Sequence, residues 1–258
     1  MNLLKSEWRK LIYVRAHWGL LIAAILVALL GTAVTPVILD SNAEAFGLGL
    51  DQPDAIDAVY ANAISSYFFA IIIGIMLMSG EFRHGTSVAT FLTAPKRGTV
   101  LANKLAIAAI GGALVMVIAT ASGLLGGWVA LQFFDNVAEP SSGVFLNTMI
   151  AAVVSGAILG IVGVALGTLV RNQMLAITGS LIYLFVIDPI LLTLAPEAGK
   201  WLPSGLITAM LALDVQAPEL GFDTTNYLPA LTATIVLLGY GLVFGAIAIA
   251  TSLRRDIE

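Results

Sequence analysis

The chain contains no cysteine. Disulfides, thiolate metal sites and a cysteine nucleophile are therefore excluded, and the redox compartment is left open. Charge is nearly as scarce: 11% of the 258 residues are charged, against roughly 25% in soluble proteins. Apolar residues make up 59%, where soluble proteins carry roughly 45–50%. A soluble fold of this length could not cover its surface with so few charges, so much of that surface faces lipid. The period-two alternation of an outer-membrane barrel is also missing. A phosphate-binding loop, G-x-x-x-x-G-K-[ST], is lacking too. The only Gly–Lys pair is Gly199–Lys200, followed by Trp201, so the chain does not bind ATP through that motif.

What is present is a set of long apolar runs. A helix needs about 20 mostly apolar residues to cross the hydrocarbon core. Six segments meet this: His17–Leu39, Ala58–Gly80, Leu105–Phe133, Phe145–Val170, Met174–Ile187 with a broken continuation to Ala195, and Leu228–Leu253. The run from Gly19 to Leu30 continues through Val34 to Leu39 without a small-x-small cleavage site, so it reads as a first span and not as a signal peptide. The fold class is thus an all-α integral membrane protein. One transmembrane domain covers 1–258: a helix over 1–16, a six-span bundle over 17–253 and a tail over 254–258.

The loops orient it. Lys5, Arg9, Lys10 and Arg15 precede the first span, Arg83, Lys96, Arg97 and Lys104 join the second to the third, Arg171 follows the fourth, and Arg254 and Arg255 follow the sixth. One face therefore holds eleven basic and four acidic residues, and the other holds Lys200 with twelve acids, which returns the net charge of −4. By the positive-inside rule the basic face is cytoplasmic, with both termini inside. The outer acids lie dispersed in loops that contain Gly and Pro, and they read as a solvated or cation-attracting surface.

Residues 1–16 place Leu4, Trp8, Leu11 and Ile12 on one helical face among Lys5, Arg9, Lys10 and Arg15. The pattern predicts an amphipathic helix in the inner interface, near anionic lipid. It serves either as an elbow that positions the first span or as a plain topology anchor. The inner segment 80–104, GEFRHGTSVATFLTAPKRGTVLANK, is too long for a tight helix–helix turn. Thr86 is a plausible N-cap; Val88, Phe91 and Leu92 give an i, i+3, i+4 face, and Pro95 ends it. A short cytoplasmic helix held on two spans can act as a lever.

Glu81, the basic pair Arg83–His84, Gly85–Thr86, Phe91–Leu92, Pro95–Lys96–Arg97 and Lys104 together resemble the first cytoplasmic loop of ABC-2 type permeases, the membrane subunits of bacterial ABC exporters. The order of elements along the whole chain is similar as well. The resemblance implies that Arg83 through Pro95 forms a coupling helix seated in a cleft of an ATP-binding subunit, with Glu81 the acidic residue at its hinge. The interface it implies is Glu81, Arg83, His84, Gly85, Thr86, Phe91, Leu92, Pro95 and Arg97. It implies no cofactor in this chain, with ATP and magnesium held by two copies of the partner ATPase. It also implies a second permease subunit, as homodimer or heterodimer, outer re-entrant helices before the last span, and a place in the bacterial cytoplasmic membrane. Nothing points to nucleic acid.

Gly156, Gly160, Gly163 and Gly167 form a stripe on the fourth span, where small residues let helices approach closely. Asp188–Pro189 is expected to break the fifth span, since proline lacks a backbone donor and disfavours helix before it. Fourteen residues from Met174 to Ile187 rise about 21 Å, which puts Asp188 at the outer boundary and not mid-membrane. Ile190–Ala195 and Pro203–Leu213 read as two short outer helices, with Trp201 an interface anchor. His17 lies at the inner edge of the first span, and His84 has no cluster of metal-ligand spacing around it. No metal site or catalytic residue is expected.

A translocation path for hydrophobic or amphipathic cargo (small molecule, peptide or lipid) would be lined by Ser65, Ser66, Tyr67, Phe68 and Phe69 of the second span and Ser180, Tyr183 and Phe185 of the fifth; ordinary lipid-facing aromatics read equally well. Two other classes are less well supported by the residues. An ion-coupled transporter or channel usually keeps ionisable groups inside the membrane, and none lies near the centre of a span. A membrane-embedded enzyme would need Ser with His, or clustered carboxylates, at one depth, and the sequence has neither.

Overall fold

The computed structural model describes residues 3–83, 97–170, 172–211, 216–217, 222–223 and 227–254. Helix dominates, apart from a two-residue antiparallel pairing of Gln216–Ala217 with Phe222–Asp223. Six helices are long and apolar enough to cross a membrane: Arg15–Ser41, Pro53–Glu81, Gly98–Leu131, Val144–Val170, Gln173–Leu194 and Ala230–Ala250. They are numbered here as spans one to six. A separate N-terminal helix, Leu3–Tyr13, precedes the first span.

Burial ranks the spans. In the second, 72% of the apolar window is buried, against 22% in the first and fifth and 28% in the sixth. The second and fourth spans therefore form the centre, and the others present broad faces to lipid. Glycine makes that centre possible. A Cβ on Gly74 would stand 2.1 Å from the Gly160 carbonyl oxygen, and one on Gly163 would stand 2.2 Å from that of Ile71. Toward the third span, a Cβ on Gly112 would meet the Gly156 carbonyl at 2.1 Å, and one on Gly160 that of Ala108 at 2.3 Å. The glycine stripe of the fourth span is thus consumed by contacts inside one chain, where backbones meet with no side chain between them.

The second span is one helix with a tight 3-10 turn at Asn62–Ser66. There the Asn62 side chain donates to the Thr35 hydroxyl at 2.7 Å, fixing the turn against the first span. At the end of the bundle away from the N-terminal helix a smaller core gathers Leu39, Leu48, Leu50, Ile56, Val59, Tyr60, Leu131 and Val144. Asp57 is buried beside it and accepts the Ser141 backbone N–H at 2.9 Å. That corrects the expectation of uniformly solvated outer acids: Asp57 ties two outer segments together.

The fifth span corrects another. It does not break at Asp188–Pro189. Gln173–Ile182 passes through a π-helical turn, Tyr183–Ile187, into Asp188–Leu194 without interruption. The wider turn re-registers the hydrogen-bond ladder just ahead of the proline. Pro189 then stands in the first turn of Asp188–Leu194, the position at which a helix best tolerates proline. Ile190–Leu194 is accordingly the end of the span and not a separate outer helix. The outer helix after it runs Pro203–Leu211; residues 212 and 213 of the expected helix lie outside the described residues.

The N-terminal helix turns into the first span at Val14. Its last carbonyls are capped by side chains from the next turn. His17 Nδ1 lies 2.9 Å from the Leu11 oxygen, and Trp18 Nε1 donates to Ile12 at 2.7 Å. A carbonyl only accepts, so the His17 proton sits on Nδ1. This gives His17 a structural role at the elbow. The helix buries Glu7, with Trp8 and Leu11 partly buried, while Leu4, Ile12 and Tyr13 stay exposed. The buried face is therefore rotated toward Glu7 from the apolar face the sequence suggests.

Candidate functional site

At the end of the bundle that carries the N-terminal helix, four charged side chains from three elements meet. Lys104, on the third span, is 1% exposed, Glu7 of the N-terminal helix 2%, and Glu81 at the end of the second span 5%. Lys104 Nζ lies 2.8 Å from Glu7 Oε2 and 2.7 Å from Glu81 Oε1. It also donates to the Leu77 carbonyl at 3.4 Å. Lys10 closes the figure from its half-exposed position, 2.6 Å from Glu7 Oε1 and 2.5 Å from Glu81 Oε1. Each cation touches both anions, so the four form a neutral ring. Glu81 Oε2 is buried and has no hydrogen-bond partner among the described residues.

Burial by itself would raise the Glu7 carboxyl, but Lys104 and Lys10 outweigh it and hold Glu7 below its ordinary 4.5. Lys10 moves the other way: burial lowers it, and Glu7 and Glu81 together carry it above 10.5. Glu7 therefore contributes stability above pH 4.5 that is lost as pH falls through its depressed value. Lys10 contributes stability below pH 10.5 that is lost as pH rises through its raised one.

The ring stands at the base of the segment singled out in the sequence. Glu81 closes the second span, Arg83 ends its helix and Arg97 begins the next one. His84, Gly85, Thr86, Phe91, Leu92 and Pro95 lie outside the described residues. Glu81 pairs with two lysines from other elements; the neighbouring arginine that a helix-end carboxylate would suggest has its side chain outside the described residues. Glu7 and Lys10 were not read as site residues. The available signal was an acid at i+3 from Leu4 and i−4 from Leu11, on the apolar stripe of an amphipathic helix.

The second feature is a cavity of about 490 Å³ between the fourth, fifth and sixth spans. It follows the fourth span from Ile158 to Val170, and Pro203 and Tyr240 also line it. The Tyr240 hydroxyl donates to the Trp201 carbonyl at 2.9 Å, which joins the sixth span to the segment that leads into the outer helix. Twelve rises of 1.5 Å separate Ile158 from Val170, so the cavity borders about 18 Å of the fourth span, more than half of a hydrocarbon core of about 30 Å. Its walls are almost wholly apolar. Ser180, one of its few hydroxyls, is spent on the Ala176 carbonyl at 2.8 Å.

A family model described as ABC-2 family transporter protein matches residues 3–187. The chain belongs to that family. The match takes in the N-terminal helix, the charged ring and the first four spans, and it ends inside the fifth; the likeness expected over the whole chain is carried by this part. No curated protein matches the sequence. The chain is the multi-pass membrane component of an ABC transporter, a permease subunit.

In the permease the residues expected to line a path divide into three groups. Ser180 and Tyr183 border the cavity. Phe185 is exposed to the outside of the bundle, and its ring packs on that of Phe68 with centroids 4.9 Å apart. Phe68 in turn stacks on buried Phe69 at 4.3 Å and meets Tyr67 edge-on at 6.5 Å. Ser65 and Ser66 sit inside the bundle. Ser66 approaches the Met116 sulfur at 3.8 Å, and Ser65 Oγ would be 3.1 Å from a Cβ on Gly31. Phe185 thus joins the aromatic cluster of the second span, apart from Tyr183 at the cavity, while Ser65 and Ser66 face the first and third spans.

Asp188 is fully buried in the permease. Its carboxylate accepts the Ser204 hydroxyl at 2.6 Å and the Ser204 backbone N–H at 3.1 Å, capping the first turn of Pro203–Leu211 from another element. Asp188→Ala leaves both donors without an acceptor. It should lower stability by about 1–3 kcal/mol, read as a lower unfolding temperature in detergent, whereas Ser204→Ala should cost less.

Proposed function

We propose that this permease is the transmembrane half of an ATP-driven exporter of hydrophobic or amphipathic molecules. ATP and magnesium are bound and hydrolysed by a separate ATPase subunit, present in two copies. The observation that carries the reading is family membership over 3–187, with a buried charged ring at the base of the inner loop. A segment that has to transmit force needs its two ends fixed to each other, and the ring fixes them. Two permease chains, identical or sister, enclose the path. ATPase closure against Arg83–Pro95 then shifts that path between inward and outward exposure.

The test is purification of the tagged permease from native membranes in mild detergent. A co-purifying ATPase is expected, and it should be lost when residues 83–95 are scrambled. An intact permease that brings down no ATPase overturns the reading. Orientation in the bacterial cytoplasmic membrane is testable because the chain has no cysteine of its own. Glu44→Cys should react with a membrane-impermeant maleimide in intact cells, and Lys5→Cys only after permeabilisation. The reverse pattern would invert the topology.

The apolar cavity supports the choice of cargo class. Gly179 lines it, and a Cβ there would meet nothing within 4 Å. Gly179→Leu should therefore fill space without a clash. The expected result is weaker binding of an apolar fluorescent dye with unchanged folding and unchanged ATPase co-purification. Undiminished dye binding would remove the cavity from the cargo route.

A further inference from the structure

The charged ring joins three elements that the chain could have left separate: the N-terminal helix through Glu7 and Lys10, the second span through Glu81 and the third through Lys104. An apolar contact could hold the same three together. Replacing a buried ionic assembly by apolar side chains is often neutral for stability, so stability alone does not explain four charges here; a better-attested use of buried ions is to fix one register between elements. The register fixed here is that of the N-terminal helix against the two ends of the inner loop. Beyond the ring, this helix is capped onto the first span by His17 and Trp18.

We propose that Glu7, Lys10, Glu81 and Lys104 are positioning residues that make the N-terminal helix part of the moving unit, so that displacement of the inner ends of the second and third spans swings the helix and, through the His17–Trp18 elbow, the first span. This rests on the reading that an ATPase engages the inner loop. On that basis the first span, whose outer surface is largely lipid-facing, moves with the loop although the loop is not joined to it in sequence.

Charge inversion separates this from a merely structural role. Glu81→Lys with Lys104→Glu keeps an opposite pair between the second and third spans, but sets each against a like charge from Glu7 or Lys10. Adding Glu7→Lys and Lys10→Glu restores every contact with all signs reversed. Net charge is the same in all three proteins. A spin label is placed on exposed Lys5→Cys, the only thiol in the chain, and each protein is reconstituted in nanodiscs with its co-purified ATPase.

The native protein should show a restrained label whose spectrum changes on trapping with ATP and vanadate. The two-residue variant should show a mobile label with that response lost, and the four-residue variant should recover both. Restraint and response that persist in the two-residue variant, or fail to return in the four-residue one, overturn the proposal. Failure of the native protein to bind an ATPase overturns the reading of the loop instead. An ATPase that binds while the native label stays unmoved overturns the transmission proposal alone.

Discussion

Lys104→Met is expected to be among the most damaging single substitutions in the chain, costing about 3–5 kcal/mol. The side chain is 1% exposed, and its ammonium is shared by Glu7 and Glu81. Methionine fills a similar volume, so packing changes little. What changes is charge: two buried carboxylates are left with Lys10 as their only partner in the ring, and one negative charge is uncompensated where water cannot reach it. Lys10→Met removes an ammonium that is 40% exposed, and water can take its place, so the loss should be much smaller. Thermal unfolding of the two purified variants in one detergent measures the contrast. Equal midpoints would mean that the ring is solvated.

That contrast also marks where sequence reading stops. The spans, their order and the sorting of charge across the membrane are properties of single segments, and hydropathy carries them. The glycine stripe was legible for the same reason, while its contacts within one chain are read from the structure. The ring was not, because Glu7 and Lys104 are 97 residues apart and no local pattern links them. Glu7 counted only as one acid among basic neighbours. The fifth span shows a different kind of miss. The rule that proline disfavours a preceding helix is sound locally, but a five-residue π turn just ahead of it, Tyr183–Ile187, absorbs the defect. Asp188 is expected at the outer boundary because the span is expected to end at Ile187; the helix instead runs on to Leu194, so Asp188 lies inside it. Its partner Ser204 comes from beyond an intervening turn, and spacing alone does not supply it.

The second large effect is at the glycine crossings of the fourth span, and here the prediction is an ordering. A Cβ at Gly163 would lie 2.2 Å from one backbone carbonyl oxygen and 2.9 Å from the Gly74 Cα. Neither is the end of a flexible side chain, so relief requires the second and fourth spans to separate. Overpacking of a core that can adjust costs about 1–3 kcal/mol, and a crossing locked by backbone should exceed that. Gly163→Val and Gly160→Val are expected to abolish recovery of a monodisperse protein. Gly167→Ala meets the Ile75 oxygen at 3.0 Å and the Met78 Cβ at 3.1 Å, which a few tenths of an ångström of adjustment can relieve, so it should be recovered with a lowered unfolding temperature. Gly19→Ala has no neighbour within 4 Å and should behave as the native chain, or slightly better, since alanine favours helix. The series discriminates because all four positions are glycines in apolar helices and differ only in what stands opposite. If Gly163→Val were as well behaved as Gly19→Ala, the second and fourth spans would not cross at their backbones, and the centre of the bundle would have to be held in another way.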